Sequence, residues 1–301
     1  MRKAPPLLAL ALVLLAASAC DRRVSSSDRW LAVSVGGQHT CGLRFEGVVS
    51  CWGLDRWGQA SAPEGRYLEI NARSEHTCAV QDDSSLRCWG SDEFGQATPA
   101  PDGSFVGLAT GAYHGCALTD DGRVECWGCG GDKDFGQCDP PELQFGAIGD
   151  GSRHGCGVDG GGDLRCWGDD EYNQSFPPAG TYTQVTGGRY HSCALDADGA
   201  VVCWGRDDVE QASPPDGTFT QVSASGANNT CALGIEGSVV CWGDDSFGQG
   251  SPPEGVFSQI SIGSRHSCGL RDDGYIECWG CGAQYLDGGN TVGYHGECNP
   301  P

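Results

Sequence analysis

Beyond the first twenty residues the apolar side chains follow no helical spacing; they come in short alternating runs bounded by Gly, Asp and Pro. That pattern predicts an all-β chain. Aligning the runs on the tripeptide Cys-Trp-Gly gives seven copies, starting at Cys51, Cys88, Cys126, Cys166, Cys203, Cys241 and Cys278, with steps of 37, 38, 40, 37, 38 and 37 residues. Each has a partner ten residues upstream: Cys41, Cys78, Cys116, Cys156, Cys193, Cys231 and Cys268. Between the partners lies a turn signal with Gly47, Gly122, Gly162, Gly199, Gly237 or Gly274 at a fixed offset, and Ser84 in the second copy. A Gly there suits the left-handed position of a three-residue hairpin loop, which sets the two cysteines opposite each other on antiparallel strands. Each pair is therefore expected to bridge its own hairpin, stabilising it by about 2.5 to 3 kcal/mol in the chain-entropy account.

Upstream of every hairpin an aromatic is followed three residues later by an aliphatic, from Trp30/Val33 and Tyr67/Ile70 to Phe257/Ile260, which reads as a further strand. Downstream come an acidic stretch and a Gly-Gln-like turn, as in LDRWGQ, SDEFGQ, DDEYNQ and DDSFGQ, often followed by Pro-Pro-x-Gly. A unit of about 37 residues cannot bury both faces of its strands alone, so seven in tandem predict a closed seven-bladed β-propeller. The chain ends where the next aromatic strand would begin, and an extra strand, DRWLAVSVGG, stands at the N-terminal end. The two ends would complete one blade, with the N-terminal strand closing the ring.

The pattern H-x-C-A-L-x-x-D-G-x-V-x-C-W-G-x4-G-Q resembles the regulator of chromosome condensation repeat, over residues 29 to 301. The resemblance implies a seven-bladed β-propeller and admits exported bacterial members. The first copy lacks the Asp-Gly, the sixth has Asn228-Asn229 in place of the His, and the fifth has Val209-Glu210-Gln211 in place of aromatic-Gly-Gln.

The N-terminus, MRKAPPLLALALVLLAASAC, has a basic start, an apolar core and small residues before a cysteine. This is an export signal, expected over residues 1 to 19. Eighteen of the 19 cysteines fall into nine pairs, which leaves Cys20 alone. An unpaired thiol suits a lipid-modified cysteine better than an oxidising compartment. Residues 20–28 then form a lipidated, flexible tether and residues 29–301 the propeller, displayed on the bacterial cell envelope. Cleavage after Ala19 to a soluble exported protein is the alternative.

The formal net charge of −22 becomes about −24 once Arg2 and Lys3 leave with the signal. Such a surface disfavours nucleic acid and anionic lipid, leaving the anchor as the expected contact with membrane. The His-x-Cys spacing at His39, His76, His114, His154, His191 and His266 resembles a ligand set, yet the sixth copy keeps its cysteines without the His. Neither a metal nor a cofactor is expected; the histidines read as hydrogen-bonded groups between blades whose charge matters below pH 6, and the tryptophans as a packing layer. The Asp-rich loops lack calcium-loop spacing and read as solvated acid. No phosphate loop, GxSxG or HExxH is present, so an enzyme is not expected.

Two copies carry extra cysteines after Cys-Trp-Gly, Cys129 with Cys138 and Cys281 with Cys298, enclosing lengthened loops. Stapled excursions from the same point of the blade suit a rigid recognition surface. Tyr285, Leu286, Tyr294 and His295 of the longer one, with Trp57, Phe94, Phe135, Tyr172 and Phe247 before the ordinary turns, are the candidate protein-binding residues. Their alternative role is to pack beneath their own loops. The expected function is a non-enzymatic, monomeric binding module for a protein, such as an exported enzyme it inhibits, or a glycan. The family resemblance alone implies the alternative of guanine-nucleotide exchange on a small GTPase.

Overall fold

The computed structural model describes residues 29–98, 100–224, 226–281 and 296–301. Cys20, Tyr285, Leu286, Tyr294 and His295 lie outside them. Strands β1 (Trp30–Val35), β2 (His39–Arg44) and β3 (Val49–Gly53) form an antiparallel meander, and the same order recurs in six further three-stranded sheets. The first strand of each sheet lines a central channel, the second is buried, and the third lies outermost.

The odd spacing of aromatic and aliphatic in the inner strand conflicts with a plain strand, whose faces alternate every residue. A bulge resolves it. Trp30 pairs with Arg44 but Ala32 with Leu43, leaving Leu31 unpaired, and the same shift occurs in all seven blades. The extra residue brings aromatic and aliphatic to the same side and turns Leu31, Leu68 and Val106 outward.

Among the described residues no core occupies the centre of the disc. Apolar clusters sit between neighbouring blades, as where Cys41 and Leu43 meet Tyr67, Ile70, Ala79 and Trp89 of the next blade. The Cys-Trp-Gly tryptophans tilt against the inner-strand aromatics, with centroids 5.7 Å apart for Trp30 and Trp52 and 6.1 Å for Tyr67 and Trp89. Six of the seven indoles donate to the carbonyl of the Gln ending the preceding loop, for example Trp89 to Gln59 at 3.0 Å and Trp167 to Gln137 at 2.9 Å. The tryptophans are thus a packing layer with one directed bond per blade.

Cross-strand pairing of each i, i+10 couple places the hairpin cysteines in register, and all seven pairs are bonded, with Cα atoms 4.0 to 4.1 Å apart. Cys129–Cys138 and Cys281–Cys298 are bonded as well. Gly47 closes its loop at φ 82°, and Ser84 adopts the same region at φ 67°. The first and last blades meet at one seam. Trp30 N donates to Gly274 O of the last hairpin, Trp30 and Val33 pack on Cys268 and Leu270, and Trp52 Nε1 donates to Glu297 O where other blades use a Gln carbonyl.

Candidate binding face

The disc has two unlike faces. His39 pairs with Gly53 and Leu54 N donates to Gln38 O at 2.8 Å, so the acidic Gly-Gln loops rise beside the inner hairpin tips on one side, the loop face. A Cβ on Gly53 would stand 2.7 Å from the Gln38 carbonyl, which explains the Gly of Cys-Trp-Gly. The other side, the turn face, carries the Gly47-type hairpins, to which Tyr67 N returns by a 2.8 Å bond to Gly47 O.

Two side chains brace the loops of the first, second, fourth, fifth and sixth blades. The buried Gln accepts from the amide two residues earlier, as in Trp57 N to Gln59 Oε1 and Phe94 N to Gln96 Oε1, both 2.8 Å. An Asp accepts from the segment after the turn: Asp55 from Ala60 N (2.8 Å) and Ser61 Oγ (2.6 Å), Asp207 from Ala212 N and Ser213 Oγ, both 2.7 Å. An acid in each of these five loops is therefore a brace, where the sequence suggested only solvated charge.

Of the candidate aromatics, Trp57 is 47% exposed, while Phe94, Phe135, Tyr172 and Phe247 are half-buried. Each half-buried ring meets the residue preceding the next blade's His position: Phe94 packs edge-on to Tyr113 at 5.0 Å and Tyr172 on Tyr190 at 5.1 Å, and Arg153 covers Phe135 at 4.5 Å and Arg265 covers Phe247 at 5.4 Å. These four rings are platforms for their neighbours as much as open contacts. Lys133, in a 3-10 turn within the Cys129–Cys138 loop, lies 5.9 Å from the Phe94 centroid and 5.8 Å from that of Tyr113. Phe176, 75% exposed, is a surface aromatic that the sequence reading missed, although it replaces the serine found at Ser61, Ser213 and Ser251.

Four of the six histidines are hydrogen-bonded to a hydroxyl of the neighbouring blade, as expected. His39 Nε2 meets Thr77 Oγ1 at 2.8 Å, His154 meets Ser192 at 2.7 Å, His191 meets Thr230 at 2.8 Å, and His266 meets Thr40 at 2.7 Å. Burial pushes His39, His76, His154, His191 and His266 down to about 3. The expectation that they charge below pH 6 is corrected: with no water to solvate an imidazolium, the folded rings stay neutral to far lower pH. Where the hydroxyl is replaced by Gly155, Asp150 fills the room, its carboxylate 3.5 Å from His114 Nε2. His114, Cys116 and Asp150 group like metal ligands, but the Cys116 sulfur is bonded to Cys126.

The channel, about 210 Å³, is lined by all seven inner strands. At its loop-face mouth Arg73 reaches across from the second blade, donating to Asp150 O (3.2 Å), Gly187 O (2.9 Å) and Gly188 O (3.2 Å). Burial lowers its pKa to about 10 against the favourable field of Asp150, so it remains charged at neutral pH. The sequence held a signal that was missed: three residues before the His position, six copies have Gly (Gly36, Gly111, Gly151, Gly188, Gly226, Gly263) and one has Arg73.

The Regulator of chromosome condensation (RCC1) repeat matches this chain at residues 30–59, 105–137, 182–211, 219–249 and 257–285. The chain belongs to the RCC1 repeat family. The ectodomain of the receptor kinase CR4 from Physcomitrella patens is 25% identical to this RCC1-repeat chain, at a TM-score of 0.71 over 86% of this chain and 76% of that one. The ACR4 ectodomain from Arabidopsis thaliana is 21% identical (TM-score 0.69, 83% and 97% covered). Prp20p from Saccharomyces cerevisiae, described with its binding to Gsp1p and histones, is 18% identical (TM-score 0.68, 82% and 84% covered). The last two share the fold alone. No curated protein matches the chain. The bridges fit an oxidising compartment, and among the described residues no helix is long and apolar enough to cross a membrane.

Proposed function

We propose that this propeller is a non-enzymatic binding module, lipid-anchored through Cys20 outside the cytoplasm of a bacterial cell, that holds a protein partner through its loop face. The observation that carries this reading is the bracing of the loops: a buried Gln and a surface Asp hold the exposed tips of the first and fifth blades before any partner arrives, which lowers the entropic cost of association. The tether direction agrees with it. Trp30 enters the first blade beside the Gly274 hairpin, on the turn face, so an anchored molecule presents its loops away from the membrane. A receptor-kinase ectodomain with this fold offers an analogy for display outside a cell. One concrete form is inhibition of an exported enzyme; a glycan is the other ligand class.

Two measurements test the proposal. Intact mass of the exported protein should show diacylglycerol on Cys20, and the unmodified mass of a chain beginning at Cys20 would remove the anchor. Crosslinking capture from the cell envelope should fall at least about tenfold with Trp57→Ala plus Phe176→Ala and stay unchanged with Phe45→Ala on the turn face. The reverse pattern would reject the loop face.

A further inference from the structure

The loop face of this strongly acidic chain gathers arginines at one corner. The guanidinium carbons of Arg189, Arg206 and Arg153 lie 5.1, 5.6 and 5.8 Å from the centroid of a single ring, Tyr190. They come from three separate segments. Arg153 stands at the hairpin tip of the fourth blade and Arg189 at that of the fifth, while Arg206 follows Cys203-Trp204-Gly205 and is held by its amide on Tyr190 O at 2.9 Å. Tyr172 and Phe135 support the cluster, under Arg206 at 5.3 Å and Arg153 at 4.5 Å. Beneath it, Arg73 binds the carbonyls of Gly187 and Gly188, the residues that lead into Arg189.

Like charges drawn around one ring repel, and only part of that repulsion is relieved within the molecule. Arg206 pairs with Asp208, and Arg153 stands a long 3.9 Å from Asp169. Arg189 is exposed and has no carboxylate within 4.0 Å among the described residues. The rings are covered by cations, which leaves them poorly available for stacking on a sugar. What the cluster offers a partner is the N–H edge of stacked guanidiniums, a fork that matches the two oxygens of a carboxylate. The surrounding loops carry Asp169, Asp170, Glu171, Asp207, Asp208 and Glu210, so the positive area is an island. A long polyanion would run from it onto like charge; a protein segment with two or three carboxylates would not.

We propose that the Tyr190-centred arginine triad docks an acidic segment of the protein partner, a proposal that rests on the loop-face reading above. The test is fluorescence anisotropy of a labelled penta-aspartate peptide with the disulfide-intact protein at low salt. A penta-asparagine peptide, a phosphoserine peptide of equal length and polygalacturonate serve as comparators. Binding should weaken steeply with salt. It should fall about fivefold with Arg189→Gln and at least about thirtyfold with Arg153→Gln, Arg189→Gln and Arg206→Gln combined, yet hold within about twofold for Arg56→Gln and Arg265→Gln elsewhere on the face. The combined Arg→Lys variant keeps charge but loses the fork, and should recover only part of the loss. Absence of penta-aspartate binding, equal binding by the triple Gln variant at an unchanged melting temperature, or tighter binding of polygalacturonate or the phosphopeptide would overturn the proposal. Envelope capture separates the two levels. Loss with Trp57→Ala plus Phe176→Ala but not with the triple variant overturns the triad alone, whereas loss only with Phe45→Ala overturns the loop face and the triad with it.

Discussion

Arg73 occupies a position that its six counterparts leave to glycine, and the reason is local. A Cβ on Gly36, Gly111, Gly151 or Gly188 would fall no farther than 2.2 Å from the ring of the following His. The second blade escapes the clash by extending its inner strand to Arg73 and turning at Ser74, φ 46°. The side chain then satisfies three carbonyls belonging to the fourth and fifth blades. Arg73→Ala should lower stability by about 2 to 4 kcal/mol, since it removes charge-assisted bonds and leaves buried Asp150 without its nearby positive charge. Arg73→Lys should recover little of it, because one ammonium does not reproduce the fork. Denaturant titration at fixed pH reads both. The exception was present in the sequence as the one Arg in a column of Gly, but what it reaches was not, because the carbonyls lie 77 to 115 residues away. The same holds for the Tyr190 cluster, whose members share no spacing along the chain.

At the scale of the element, the hairpin was legible because one ten-residue spacing and one turn position fix a register, and register fixes which side chains meet. Ser84 shows that the turn was specified redundantly: it takes the left-handed conformation at φ 67° without the glycine. The loops were less legible. Their acids looked alike, and only their bonds separate the bracing Asp55 from the unbraced surface charge around it. The two kinds of staple should accordingly behave differently. Replacing Cys231 and Cys241 by Ala, inside a buried blade, should cost about 2 to 3 kcal/mol. Replacing Cys129 and Cys138 should leave the melting temperature nearly unchanged but speed hydrogen exchange over 129–138, where Lys133 is held against Phe94 and Tyr113. Equal melting shifts for the two pairs would show that the insertion is part of the fold's stability.

For the whole molecule, the buried histidines couple folding to pH. Five of them are held near 3 when folded and return to about 6.5 in the unfolded chain. Between those values the unfolded state binds more protons, so stability is fully present above pH 6.5 and is lost as pH falls toward 3. Glu69, raised by burial to about 7, titrates in the opposite sense and returns one proton's worth. Unfolding midpoints of the disulfide-intact protein should therefore fall from pH 7 to pH 5, with a slope near pH 5 of about four protons net. A flat profile would mean that the histidines are solvated in the native ring.

The seam bears on how the molecule carries load. β1 enters at the turn face and runs along the channel toward the loop face, bonded to β2 by a ladder whose rungs lie across the strand. A pull between the N-terminal tether and a partner on the loops acts along that strand, so the rungs share the force as a sheared joint and do not peel in sequence. The blade that receives the tether is therefore loaded in its most resistant direction.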